Sequence, residues 1–242
     1  FYSMCLLRLC CGIGVSFAYI APLIYAHHQI DKKYFAMVGG GIQLLGSIGA
    51  IAGTLPVSLM MIHIGWTKTN IIIGLLGICV SLVFLMLKSI HVAHKRTFYI
   101  EWLALKNICR QLHTWLFGLL GLILWSPMLI IAENIGVSLL ESRMIPNSRA
   151  SLFILVMWLC GGIAGPVMGL WSAGSTQQRF RVINFGIVSS LLGSLGFIYF
   201  PQFVPWLWVF FAVLISCGSA TQCVVFGLVQ DTNKGDCLGV AL

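Results

Sequence analysis

The sequence predicts an all-α integral membrane protein, a partial bundle of about seven transmembrane helices. Three observations predict it. Of 242 residues, 59% are hydrophobic and only 8% charged, with mean hydropathy +0.98, whereas a soluble domain carries about 25% charged residues. Seven stretches are apolar enough, for about 20 residues each, to cross a hydrocarbon core about 30 Å thick. The period-two alternation of a membrane barrel is absent, so each span must satisfy its backbone internally as a helix. A water-soluble enzyme, a coiled coil and a disordered chain are excluded.

The spans run over 3–26, 35–62, 71–87, 115–135, 151–171, 182–200 and 206–229. Connectors on one side hold Lys32, Lys33, Lys88, Lys95, Arg96, Lys106, Arg110, Arg179, Arg181 and Lys234; the other side has only Lys68, Arg143 and Arg149. Positive-inside counting puts the first side in the cytoplasm, so the net charge of +8 speaks of topology and not of nucleic acid. Trp66, Trp115, Trp171 and Trp206 fall at span ends, where amphipathic rings prefer to sit.

The connectors divide the chain into 1–87 with three spans, a cytoplasmic loop over 88–114, and 115–242 with four spans and the beginning of a fifth. Within the loop, 97–112 places Phe98, Trp102, Leu105, Ile108, Cys109 and Leu112 near one helical face, which predicts an amphipathic helix on the membrane surface or a solvated linker helix. The chain opens on Phe1 inside an apolar run, without the basic region and cleavage site of a signal peptide. It ends as 237–242 starts another apolar run. The expectation is an internal piece of a longer protein.

Polar residues within spans are costly and mark function or packing. In the first span Arg8 shares a face with Gly12, Ser16 and Tyr19; it lines an interior or snorkels to the outer interface. The second span carries Gln43 and a small-residue stripe of Gly46, Gly49 and Gly53, and the fifth repeats the device with Gly161, Gly165 and Gly169, all expected to pack helices. In the fourth, Ser126 and Glu133 stand seven residues apart, one helical face, with Asn134 alongside; Glu133 is a proton carrier or a hydrated rim carboxylate. The seventh has Ser216, Ser219, Gln222 and Cys223. Spans three and six, nearly free of polar residues, are expected to face lipid.

Most of the nine cysteines sit in apolar runs without a CxxC pair, which predicts free thiols. His27, His28, His91 and His94 lie in basic loops and read as interfacial histidines, so no metal and no cofactor is expected. No GxSxG, HExxH or Walker loop is present, and the chain is not expected to be an enzyme.

Several segments together resemble one family. Arg8-Leu-Cys-Cys-Gly12-Ile-Gly14 resembles the RxxxGxG pattern of helix 4 in the major facilitator superfamily. The glycine-rich second span and Gly65-Trp66-Thr-Lys resemble helix 5 and the outer turn before helix 6. The basic loop is similar to the one joining the two six-helix halves. Gly165-Pro-Val-Met-Gly169 with Arg179 and Arg181 resembles the end of helix 8 and its loop, and 226–231 with Gly235 and Gly239 the passage from helix 10 into helix 11.

The resemblance implies a secondary active carrier, proton-coupled and monomeric at full length. Such a carrier moves a small solute across a bilayer, here a bacterial inner membrane, by alternating access. It also implies that the first, fourth and seventh spans line the cavity, with Arg8, Ser126, Glu133 and Gln222 as pathway residues. Gln43 and Asn134 join them as polar candidates within the spans. Ser172 and Ala173 stand where the loop's acidic residue is expected, which predicts a weakened salt-bridge latch. The second span lacks the Gly-Pro pair of typical antiporters, which favours uptake. A seven-helix receptor and a non-functional transporter remnant are the alternatives.

Overall fold

The computed structural model describes residues 2–86, 106, 108–200 and 204–232. Its helices are α1 (Tyr2–Gln29), α2 (Phe35–Ile64), α3 (Trp66–Met86), α4 (Leu112–Met128), α5 (Gly136–Ser142), α6 (Asn147–Trp171), α7 (Thr176–Tyr199), α8 (Pro205–Ala220) and α9 (Gln222–Thr232). A π-helical segment, Leu129–Ile135, joins α4 to α5, and a single residue, Thr221, separates α8 from α9. Among the described residues, seven helical stretches are long and apolar enough to cross a membrane, as the sequence predicts. The amphipathic helix expected over 97–112 lies largely outside the described residues, as does the final segment 237–242.

α3 begins at Trp66, ahead of its apolar run, and in its first turn the Thr69 hydroxyl donates to the Gly65 carbonyl at 2.9 Å and the Asn70 amide to that of Trp66 at 2.8 Å. Gly65 makes the one-residue turn from α2 with φ of +84°, a left-handed conformation suited to glycine. At the start of α7 the Ser175 hydroxyl accepts from the Gln178 N–H at 3.3 Å, an N-cap.

Successive spans alternate in direction, so one end of the bundle, the basic end, gathers Lys32, Arg179 and Asp231. Near the opposite end, Phe153, Phe197 and Trp208 form an aromatic core in which Phe153 stacks on Phe197 with centroids 5.1 Å apart. A second core joins α4, α6, α7 and α9 around Leu124, Met168, Val182 and Val224. A third, at the basic end, brings Leu23 of α1 and Phe35 of α2 against Val229 of α9.

α3 is exposed along nearly its whole length, consistent with a lipid-facing helix. The sixth span departs from that expectation. α7 buries Gly186, Ser189, Ser190, Gly193 and Phe197, and the Ser189 hydroxyl donates to the Leu214 carbonyl of α8 at 2.8 Å. Small residues rather than strongly polar ones make this face, so polarity alone gave no sign of it. Leu191, Leu192 and Leu195 face outward.

Arg143 closes the opposite end of the bundle. Its guanidinium donates to the carbonyls of Phe197 and Phe200, each at 3.2 Å, and lies 5.3 Å from the Trp208 ring centroid. These carbonyls have no helical donor beyond Tyr199, and a charged donor is worth about 1.5–3 kcal/mol to each such contact. Arg143→Ala is therefore expected to lower stability by about 2–3 kcal/mol, read as thermal unfolding in detergent. Arg143→Lys should recover only part of this, because an ammonium lacks the planar fork and ring stacking.

Candidate functional site

The candidate site is built where α1 and α2 meet α6 and α9. Its first part is a backbone-to-backbone seam. A Cβ placed on Gly40 would lie 2.5 Å from the Pro166 nitrogen, one on Gly165 would lie 2.8 Å from the Gly40 carbonyl oxygen, and one on Gly169 would lie 2.6 Å from the Met37 nitrogen. Gly162 extends the contact to Ser47, whose Cβ stands 2.8 Å from the same position. Only glycine permits helices to approach this closely. Gln43 is buried beside the seam, and its Oε1 has no hydrogen-bond partner among the described residues.

The sequence-predicted glycines divide sharply. Gly165 and Gly169 lie in the seam, and Gly161 faces Met128 and Ser216 at 3.6 and 3.8 Å. Among the described residues, a Cβ at Gly12, Gly46, Gly49 or Gly53 would meet nothing within 4 Å. On α2, then, the tight contact is made by Gly40, one full turn and more ahead of the regular stripe.

The second part is a clasp at the basic end. Arg179, only 4% exposed, donates to the Gly227 carbonyl and pairs with the Asp231 carboxylate at 2.9 Å. Its other nitrogen donates to the Lys32 carbonyl at 3.2 Å, tying α7 and α9 to the turn between α1 and α2. Ser172 and Ala173 offer Arg179 no carboxylate; its acidic partner is Asp231, at the end of the seventh span. Close by, Gln230 Nε2 lies 3.0 Å from His27 Nδ1, which brings α9 onto α1. His27 therefore does more than sit at an interface. Nothing in its local sequence signals this, because its partner lies on the last described helix.

The third part is a cavity of about 710 Å³ between α4 and α9, lined by Thr114, Trp115, Phe117, Gly118, Gln222 and Phe226 among others. Tyr19 of α1 closes on Phe226 with centroids 5.3 Å apart. Gln222 opens α9 just after the break at Thr221, whose hydroxyl donates to the Gly218 carbonyl at 2.7 Å.

The remaining candidates lie apart from these elements. Arg8 is exposed on α1. Ser126 donates to the Ile123 carbonyl at 3.2 Å, the carbonyl that Pro127, lacking an N–H, leaves without its helical donor. Glu133 and Asn134 are exposed within the π-helical segment, and the Asn134 amide donates to the Leu129 carbonyl at 3.0 Å. Each π turn takes up one more residue than an α turn, so the seven-residue spacing of Ser126 and Glu133 does not keep them on one face as an unbroken α-helix would. Among the described residues, no three histidine, cysteine or acidic side chains group as metal ligands.

The arrangement joins α1 and α2 to α6, α7 and α9 at one end through the seam and a clasp of one cation, beside a cavity whose lining helices are interrupted at Leu129–Ile135 and Thr221. Interrupted membrane helices are typical of transporters, where irregular backbone lines a cavity. No match was found among curated proteins or among solved structures. The family model of the Major Facilitator Superfamily matches residues 1–241, and with seven membrane-spanning stretches the chain belongs to that family of membrane transporters.

Proposed function

We propose that the protein carries a small solute across the membrane by alternating access, coupled to protons and directed toward uptake, with the basic end in the cytoplasm of a bacterial cell and the carrier monomeric. Residues 1–87 and 115–242 are the parts that rock, linked through 88–114. One observation carries the reading: the contact of α2 with α6 is concentrated toward the basic end, where Gly40 meets Gly165, while most of α2 over 52–64 is exposed. A contact between α2 and α6 that is tight at one end and opens toward the other is what one of the two states of such a cycle requires.

Within this reading Arg8, Gln43, Ser126, Glu133, Asn134 and Gln222 are the candidate solute and proton pathway. Glu133, a carboxylate within the fourth membrane stretch, is the proton carrier. Purified protein should first be screened by thermal shift, since a solute that binds the folded state raises its apparent stability. Uptake of the hit into proteoliposomes is expected to rise with an inwardly directed proton gradient. Glu133→Gln should leave downhill counterflow intact while removing the response to the gradient. Uptake indifferent to both pH gradient and membrane potential would remove the coupling, and failure of every hit to cross would remove the carrier reading itself.

A further inference from the structure

The cavity between α4 and α9 has an unusual wall. At the seam glycines an added Cβ meets neighbouring atoms at under 3 Å, yet among the described residues one at Gly118 would meet nothing within 4 Å, and one at Gly121 only the Gln222 side chain at 3.9 Å. These two glycines are not used to bring helices together. They leave a smooth strip of α4 facing open space, flanked by the rings of Trp115, Phe117 and Phe226. The Trp115 ring is held by its N–H, which donates to the Cys109 carbonyl at 2.8 Å.

One polar side chain interrupts the apolar lining. The Gln222 amide reaches over Gly121. None of the described residues that line the cavity carries a formal charge at neutral pH. A charged solute would shed its hydration here without meeting a counter-charge, whereas an uncharged one loses little and can pair with the Gln222 amide. Flat rings match a strip without side chains bordered by aromatic residues.

The geometry points to an uncharged, flat organic solute as the ligand of this cavity, lying along Gly118 and Gly121 and hydrogen-bonded by Gln222. The inference rests on the carrier reading and names its solute class. Cys109 lines the same cavity and reports on its occupancy. The test is alkylation of Cys109 by N-ethylmaleimide in the reconstituted protein, read by peptide mass spectrometry, with indole, indole-3-carboxylate and tryptamine as probes. Indole at twice its dissociation constant should slow the reaction about threefold. The anionic and cationic analogues should leave it unchanged.

Gly118→Leu fills open space without displacing a neighbour, so it should fold normally and abolish protection. Gln222→Leu should weaken protection, and Cys160 should react alike throughout. Equal protection by a charged analogue, protection by none of the three, or protection that survives Gly118→Leu overturns the proposal. The readout needs no transport. Indole protection in a protein that moves no solute would uphold the site and remove the carrier reading, whereas uptake with Cys109 unprotected would remove the site alone.

Discussion

Replacement of Gly40 by leucine is expected to open the basic end of the bundle. The added Cβ would fall 2.5 Å from the Pro166 nitrogen and against the Gly165 carbonyl. Both are backbone atoms that no rotamer change can move. Overpacking of this kind costs about 1–3 kcal/mol where side chains can yield, and more where they cannot. Because the strain exists only while α2 and α6 are in contact, it acts on the equilibrium between closed and separated forms; about 3 kcal/mol there is a shift of about 150-fold. Cys223 reports the change. It is fully buried, with its thiol 3.4 Å from the Gly165 carbonyl oxygen and its Cβ 3.6 Å from the Cβ position of Gly39.

Alkylation of Cys223 should accelerate about tenfold or more in Gly40→Leu, in line with such a shift, and solute uptake should fall with it. Gly46→Leu and Gly49→Leu, on the same helix but facing open space, should leave Cys223 as unreactive as in the parent. If Gly40→Leu folds, shown by an unchanged helical spectrum, and Cys223 stays protected, the seam does not close the basic end. The reverse result, with Gly49→Leu disruptive and Gly40→Leu silent, would mean that the regular glycine stripe is the working contact.

The contrast between these glycines shows how far the sequence could be read. Seven spans were legible because burial in lipid demands long apolar runs, a property each segment carries alone. Helix partners were not. Periodic glycines mark a smooth face, but they do not say which neighbour meets it, and the run Gly39–Gly40–Gly41 has no period to follow. The π-helical segment had only bracketing signs, Pro127 ahead of it and Gly136 behind it, where a Cβ would lie 2.8 Å from Ile154 Cδ1. Arg179 was visible as a topology-setting cation. Its burial was not, since the groups that compensate its charge come from Lys32, Gly227 and Asp231, on segments far apart in the chain.

That burial sets up the second large effect. Arg179→Met removes the partner of a carboxylate whose side chain is 26% exposed and takes the guanidinium's bonds from the Gly227 and Lys32 carbonyls, the latter keeping only the Phe35 N–H that the structure gives it. Breaking one side of a buried ion pair costs about 3–5 kcal/mol, most of it the penalty of the charge left behind. Partial exposure of Asp231 puts the expectation at the lower end, about 3 kcal/mol of stability lost in detergent. The double variant Arg179→Met with Asp231→Leu removes both charges, and should recover more than half of that loss, because paired charges exchanged for apolar groups are often close to neutral. Its basic end should nevertheless stay loose: the bond to the Lys32 carbonyl, which ties α7 and α9 to the α1–α2 turn, is absent in both variants. Cys223 should therefore remain reactive in the double variant even as unfolding returns toward the parent temperature. A double variant that regains both stability and protection would show that Arg179 serves only to neutralise Asp231. One that regains neither would point to the Gly227 carbonyl, deep in the same cluster, as the group whose donor matters most.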